Sequence, residues 1–340
     1  MNKQTVTKNE GTFLAAFHRY MDSEKKHINM KRAHDLLEAF EHVKMEKIKT
    51  VETVQTYRPV LICVVKNERV RLKHFFSHYR KLGIEKFVMI DNLSSYGTRE
   101  YCEKQEDADV YSVADQYSSA GRVAWTNKAI AAYGYNRWYL IVDADEYIDY
   151  VNSETYGIDR ITGWAEKNGI QRVLGLQIDF YQKGRLFEYE KDSIKWDECI
   201  YFDTNSYILQ PSNRCKWYVG GPRKRVLDTY SLLTKCPLVY ITEEDVNISS
   251  HYLYPYEKNF QSGCVLAICH FEFLNQADRL KMDSIVREGI YASGSKENKA
   301  MHRVIADMKG DISFWSKESE TYQRSRDLLK IPAMDEMVMG

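Results

Sequence analysis

From residue 59 onward, continuous apolar runs alternate with segments of helical periodicity. PVLICVV (59–65) is apolar throughout and rich in β-branched residues, as suits a strand buried on both faces. KNERVRLKHFFSHYRKLGI follows, with Leu72, Phe75, Phe76 and Tyr79 on one helical face and a stop at Gly83. KFVMIDN, ADVYSVAD and RWYLIVDADEY repeat the buried-strand pattern. Between them lie a helical REYCEKQEDA and a helix expected over Arg122 to Tyr133. Strand and helix therefore alternate through 59–147 with short connections. This predicts an α/β fold, a mostly parallel sheet flanked by helices with nucleotide-binding topology.

The flanks read differently. Residues 1–55 are polar, with Phe13, Phe17, Tyr20 and then Leu36, Phe40, Val43 at helical spacing, which predicts a helical N-terminal extension docked on the main domain. Residues 148–275 mix short strands and loops: VLGLQIDFYQ, YFDTNSYILQ, PLVYIT and GCVLAICHFEFL. A helical region is expected over 276–340, with Met282, Ile285, Val286 and Ile290 on one face. The division is thus 1–55, 56–275 and 276–340.

Composition narrows the function classes. Lys plus Arg and Asp plus Glu number 48 each, so there is no basic excess for a nucleic-acid partner, although a local basic pocket remains compatible. Seven cysteines without a CxxC pair suggest neither a disulfide framework nor a zinc knuckle, and point to a reduced, cytoplasmic setting. The start MNKQTVTKNEGTF lacks the apolar core of a secretory signal. Runs such as VLICVV and CVLAIC fall far short of the ~20 apolar residues that span a bilayer. Membrane contact is therefore expected to be peripheral at most, at the inner face. The 25 tyrosines serve packing first, and their flat faces also suit sugars and bases.

Candidate chemistry gathers where the strands end, the edge at which such sheets bind ligands. Asp143 and Asp145 in DADEY lie two apart, so in an extended chain they point the same way, roughly 6.6 Å apart. They could share a divalent cation with a substrate diphosphate, or be solvated turn residues. Lys66, Asn67 and Glu68 follow the first strand and offer in-plane donors and acceptors for a base; alternatively, Asn67 and Glu68 start the next helix. Asp91 ends the second strand before a turn-rich loop. His270 closes a buried-strand pattern, either as a core histidine or as a third metal ligand, and His251 is a weaker candidate of the same kind.

The order VVKNE, LGIEKFVMIDNLSSYGT, WTNKAIAAY, RWYLIVDADEY, then GGPRKR and HFEFL, resembles a family 2 glycosyltransferase of the VKNE/DxDE branch, similar in pattern to family 92. The resemblance covers roughly residues 60–275. It implies a GT-A fold, a nucleotide-sugar donor (most often UDP-linked) and Mn²⁺ or Mg²⁺. It implies a glycan or lipid-linked acceptor in bacterial surface polysaccharide or lipopolysaccharide synthesis. By the same resemblance Lys66, Asn67, Glu68 and Asp91 line the base and ribose pocket. Asp143, Asp145 and His270 hold the metal, Asn127 lies near the donor, and Gly220, Gly221 and Arg223 face the reacting sugar. Two glycines admit close backbone approach, and Arg223, Lys224 or Arg225 could neutralise a leaving diphosphate.

The chain also departs from that pattern. There is no QxxRW motif, which argues against a processive synthase, and no acidic pair marks the base that must deprotonate the acceptor. Asp179 in LQIDFYQ is the first candidate and Glu146 the second, ahead of Glu244 and Asp245. The alternatives are a sugar nucleotidyltransferase, disfavoured because KNERVRLK lacks a Gly-rich loop, and a non-catalytic sugar- or nucleotide-binding module, disfavoured by the intact acids.

Overall fold

A computed structural model of the chain describes residues 7–25, 27–51, 57–95, 97–288, 296–308 and 311–336. Nine strands among them build one sheet: Met45–Lys49 (β1), Val60–Val65 (β2), Lys86–Asp91 (β3), Ala108–Val113 (β4), Arg137–Ile141 (β5), Glu146–Asp149 (β6), Arg172–Asp179 (β7), Thr234–Ile241 (β8) and Cys264–His270 (β9). Their order is β1-β4-β3-β2-β5-β8-β7-β9-β6. Strands β2, β3, β4, β5, β7 and β9 point one way, and β1, β6 and β8 run against them. The sheet is therefore mostly parallel, as the sequence predicts, with β8 wedged antiparallel between β5 and β7. The chain steps outward from β2 to β3 and β4, then returns to place β5 on the other side of β2. That reversal opens a crevice at the carboxyl ends of β2 and β5.

Helices Lys8–Ser23 (α1), Met30–His42 (α2), Arg69–Lys81 (α3), Thr98–Glu103 (α4), Ser119–Tyr133 (α5), Ile158–Lys167 (α6), Gly221–Leu227 (α7), Gln276–Glu288 (α8) and Lys296–Asp307 (α9) surround the sheet. The N-terminal pair forms where the periodicity places it. Thr7 and Glu10 close a capping box at the start of α1, satisfying amides the helix leaves open. Phe13 and Phe40 stack with ring centroids 3.9 Å apart, and Asn9 Nδ2 donates to Ala131 O at 2.9 Å on α5. Phe13, Phe17 and Phe40 belong to the same buried cluster as the strands of the sheet.

Three expectations are corrected. RWYLIVDADEY is not one strand: β5 stops at Ile141, the Glu146 amide donates to Asp143 O at 3.1 Å, and β6 resumes at the far edge beside β9. Acids in the turn favour this reversal over an extended chain. The MEKIK segment, read as part of a helical extension, is edge strand β1; its side chains are exposed or half-exposed, so no apolar alternation announces it. Residues 311–324 of the expected helical tail are turns, bends and irregular chain instead, apart from Glu320–Thr321, which pairs with Tyr201–Phe202. Ile290 lies outside the described residues. Among the described residues, no helix is long and apolar enough to cross a membrane.

Hydrogen bonds hold helix α3 to β6. Tyr79 OH donates to Glu146 O at 2.8 Å, and His78 Nε2 lies 2.9 Å from Ile148 O. Burial lowers the His78 pKa to about 4, against the opposing pull of the Ile148 carbonyl. The unfolded ring titrates near 6.5, so as pH falls below that value the unfolded chain gains a proton that the folded ring refuses until about 4. Stability should drop across that window by about 2 kcal/mol, allowing for partial exposure of the ring. Urea midpoints at pH 7 and pH 4.5 should therefore differ less in His78→Gln than in the native chain. An equal difference would show that His78 does not set this limb.

Candidate functional site

The carboxyl ends of the parallel strands carry the candidate residues. At the end of β7, Asp179 is 2% exposed and accepts from Arg223 at both oxygens, at 2.7 and 2.8 Å. It also lies 2.9 Å from His270 Nδ1, at the end of the neighbouring β9. One nitrogen of the imidazole is thereby fixed, and the other, Nε2, lies 3.9 Å from both Asp145 Oδ2 and Glu272 Oε2. Burial opposes charge on this ring, but the hydrogen bond with Asp179 and the charge of Asp145 outweigh it and raise its pKa. Burial likewise works against the Asp145 carboxylate, and Lys281, His270 and Arg71 overcome it, holding its pKa below the usual value.

The turn at 143–145 sends the two aspartates apart. Asp143 pairs with Arg122 on α5 and, at 3.1 Å, with Lys235 on β8. Despite burial, those two cations hold its pKa far below the ordinary carboxylate range. Asp145 instead faces His270 and Lys281, the latter 3.9 Å away on α8. The extended geometry that would have pointed both acids at one cation is absent. Among the described residues, no group of three or more His, Cys, Asp and Glu side chains forms a ready-made metal cage. The donors nearest to one are Asp145, His270 Nε2 and Glu272. Of these, the imidazole and the Asp145 carboxylate suit Mn²⁺ or Mg²⁺, since such ions commonly take only one or two protein carboxylates beside substrate phosphates, and Glu272 is left free of the ion. The donor set fits the ion in kind, with Asp143 outside it.

The other predicted residues divide between this mouth and the scaffold. Glu68 occupies the N-cap position of α3 without capping it; its carboxylate binds Arg71 at 3.1 Å and Lys281 at 3.0 Å. Lys66 is exposed beside it, and Asn67, in the left-handed region at φ 59°, accepts from the Ser95 amide at 2.8 Å, tying the loops after β2 and β3 together. Asp91 is 1% exposed; its Oδ2 accepts from the Ser94 amide, while Oδ1 is buried without a hydrogen-bond partner. Asn127 is occupied elsewhere: it donates to Val123 O and Asn247 O and accepts from the Asn247 amide, pinning the 246–254 hairpin to α5. In GGPRKR, a Cβ on Gly220 (φ 131°) would sit 1.7 Å from Ser206 O, so the backbone approach there needs glycine. Gly221 opens α7, which carries Arg223 to Asp179 and Glu272, and Arg225 makes two bonds to Asp203. These arginines are paired with acids.

Neither proposed base is open. Asp179 has both oxygens engaged, and Glu146, 1% exposed, binds Lys235 and accepts from the Asp143 amide. Asp245 is buried against Arg172, and His251 is fixed by Thr234 O. Glu244 is exposed, and beside His270 stands a further acid that the sequence reading passed over, Glu272, 27% exposed and 3.0 Å from Arg223, comparable in exposure to Asp143 at 30%. Its signal was present, because Glu272 follows His270 by two positions in CHFEFL. Arg122, Lys235 and Lys281 were missed for another reason: each lies far along the chain from the acid it serves, on a different element.

No protein-family model matches the chain, and no curated protein matches it. Among solved structures, S. aureus TarS 1–349 aligns over 74% of this chain and 72% of its own, at 12% identity and a TM-score of 0.28. An apo UDP-glucose pyrophosphorylase aligns over 74% of this chain and 100% of its own, at 8% identity and a TM-score of 0.30. At these scores neither likeness decides fold or chemistry.

Proposed function

We propose that the chain is a metal-dependent glycosyltransferase that moves a sugar from a nucleotide-diphosphate donor, UDP-linked in the first instance, to a hydroxyl of a glycan or lipid-linked acceptor. The observation that carries this reading is His270 Nε2, oriented through Nδ1 by Asp179 and facing Asp145 and Glu272 at 3.9 Å at the carboxyl edge of the sheet. Asp145 and His270 would hold Mn²⁺ or Mg²⁺. When bound, the ion supplies positive charge to the leaving diphosphate. Lys281 supplies charge to the same leaving group from α8. The partnerless Asp91 Oδ1, with Lys66 and Asn67 exposed nearby, is an acceptor for a base N–H or a ribose hydroxyl.

Transfer is a single displacement. The bond from the anomeric carbon to the diphosphate breaks with its electron pair leaving on the phosphate oxygen. The acceptor oxygen bonds the opposite face of that carbon, and its proton passes to Glu272, so configuration inverts. Asp179 and Arg223 act as positioning residues that hold His270 and Glu272.

Nucleotide release from a panel of UDP-, GDP-, CMP- and dTDP-sugars, with Mn²⁺ or with EDTA, tests the reading. One donor should turn over only with the metal. Glu272→Gln should lower kcat about 10²- to 10⁴-fold while donor affinity stays within a few fold. Full turnover in that variant would remove Glu272 as the base, and turnover unaffected by EDTA would remove the metal.

A further inference from the structure

A second recess, with apolar walls and two arginines, lies on the flank of the sheet, between the N-terminal helices, α5 and the 246–254 hairpin. It is a cleft of about 60 Å³ that includes Arg32, Arg214, Asn29, Tyr20, Tyr252 and Tyr256 in its lining. By volume it holds about four waters, room for one small head group and not for a whole sugar nucleotide.

The charge of this cleft is unbalanced. The Arg32 side chain is half-buried and has neither a hydrogen-bond nor an ion-pair partner among the described residues. Arg214 donates to Tyr252 OH at 3.2 Å and to His27 O at 3.0 Å, both neutral acceptors. Elsewhere the deeply buried arginines meet carboxylates, Arg71 with Asp278 and Glu68, Arg122 with Asp143, Arg172 with Asp245 and Arg223 with Asp179, and the half-buried Arg225 meets Asp203. Burial works against the charge on Arg214, and the nearby tyrosines, Tyr252 first, outweigh it and raise its pKa. Arg32, Arg214 and Tyr20 line the one cleft, and Glu24 is an acid whose charge is felt at Tyr256 on the same cleft. The first turns of α2 and α5, through Asn29 and Ser119, also border the cleft and add their partial positive charge.

We propose that this cleft is a binding subsite for a phosphoryl group. Two guanidinium forks without acidic partners match the planar oxygen pairs of a phosphate, and three tyrosines offer hydroxyl donors and flat faces for whatever the phosphate is attached to. Ser119 lies one helical turn before Arg122, which pairs with Asp143, so the subsite adjoins the reaction mouth through the start of α5. On the reading above, a phosphate-bearing acceptor or lipid-linked carrier would be anchored here while its hydroxyl reaches Glu272. The subsite itself depends on neither metal nor turnover.

Calorimetric titration with inorganic phosphate, with glycerol 3-phosphate and with acetate, in buffer free of other anions and of metal, separates this subsite from the transferase reading. Phosphate and the phosphate ester should bind at one site and acetate at least tenfold more weakly. Arg32→Gln removes a side chain that bonds nothing among the described residues, so it should leave the melting temperature unchanged and weaken phosphate at least threefold. The Arg32→Gln/Arg214→Gln pair should abolish binding, while affinity for UDP with Mn²⁺ stays native. Phosphate affinity unchanged in Arg32→Gln, or acetate binding as tightly as phosphate, would overturn the proposal whatever the enzyme assay gives.

Discussion

Asp145→Asn should reduce kcat/KM for sugar transfer at least about 10³-fold, or about 4 kcal/mol of transition-state stabilisation. The substitution keeps the shape of a side chain that is only 10% exposed and removes one charge. That charge lies 3.9 Å from His270 Nε2 and from Lys281, so it is the acid placed to join the imidazole in holding a cation. A charge that meets the leaving diphosphate only as it develops should affect kcat more than donor affinity in the absence of metal. The chain should still fold, because Asp145 accepts no backbone amide among the bonds that hold the 143–146 turn. Steady-state kinetics beside a thermal melt checks both parts. Native turnover in a folded Asp145→Asn chain would remove the metal site.

The largest stability effect is expected at Arg172. Its side chain is fully buried at the start of β7 and donates to Leu253 O, Tyr254 O and Pro255 O, to Asn259 Oδ1 and to Asp245 Oδ1. Asp245 in turn accepts from the Thr242 amide at 2.8 Å and from Lys258 at 3.0 Å. Arg172→Met would strand a buried carboxylate and several carbonyls, so it should cost about 3–5 kcal/mol of unfolding free energy. Arg172→Lys keeps the charge but not the planar fork, and should lose less. Urea denaturation measures both. A loss below about 1 kcal/mol in Arg172→Met would mean that solvent reaches and satisfies these groups.

The parallel strands were legible because each is buried on both faces, so runs such as VLICVV and KFVMID stand out against their helices. Edge strand β1 was not, because MEKIK has no buried face to impose alternation. That Asp145, His270 and Asp91 lie along one edge was legible because strand ends collect there whatever the details of packing. The parting of Asp143 from Asp145 depended on a turn, and turn geometry follows from where β6 pairs, which local pattern does not encode. Asp179 is the first candidate base on sequence, with a structural hydrogen-bonding acid as its alternative; that Arg223 pairs with it depends on α7 reaching across from 44 residues away. The basic run at 223–225 gave the right charges and the wrong partners. Its arginines answer protein carboxylates, as do Arg122 on α5, Lys235 on β8 and Lys281 on α8.

The most direct test of the metal-held donor site is calorimetric titration of UDP into the native chain and into Asp145→Asn, each with Mn²⁺ and with EDTA. The native chain should bind UDP at least tenfold more tightly with Mn²⁺ than with EDTA. In Asp145→Asn, that difference should vanish while the weak, metal-free affinity remains. Equal affinity of the native chain under both conditions, or a native metal effect in Asp145→Asn, would contradict the site described for Asp145 and His270.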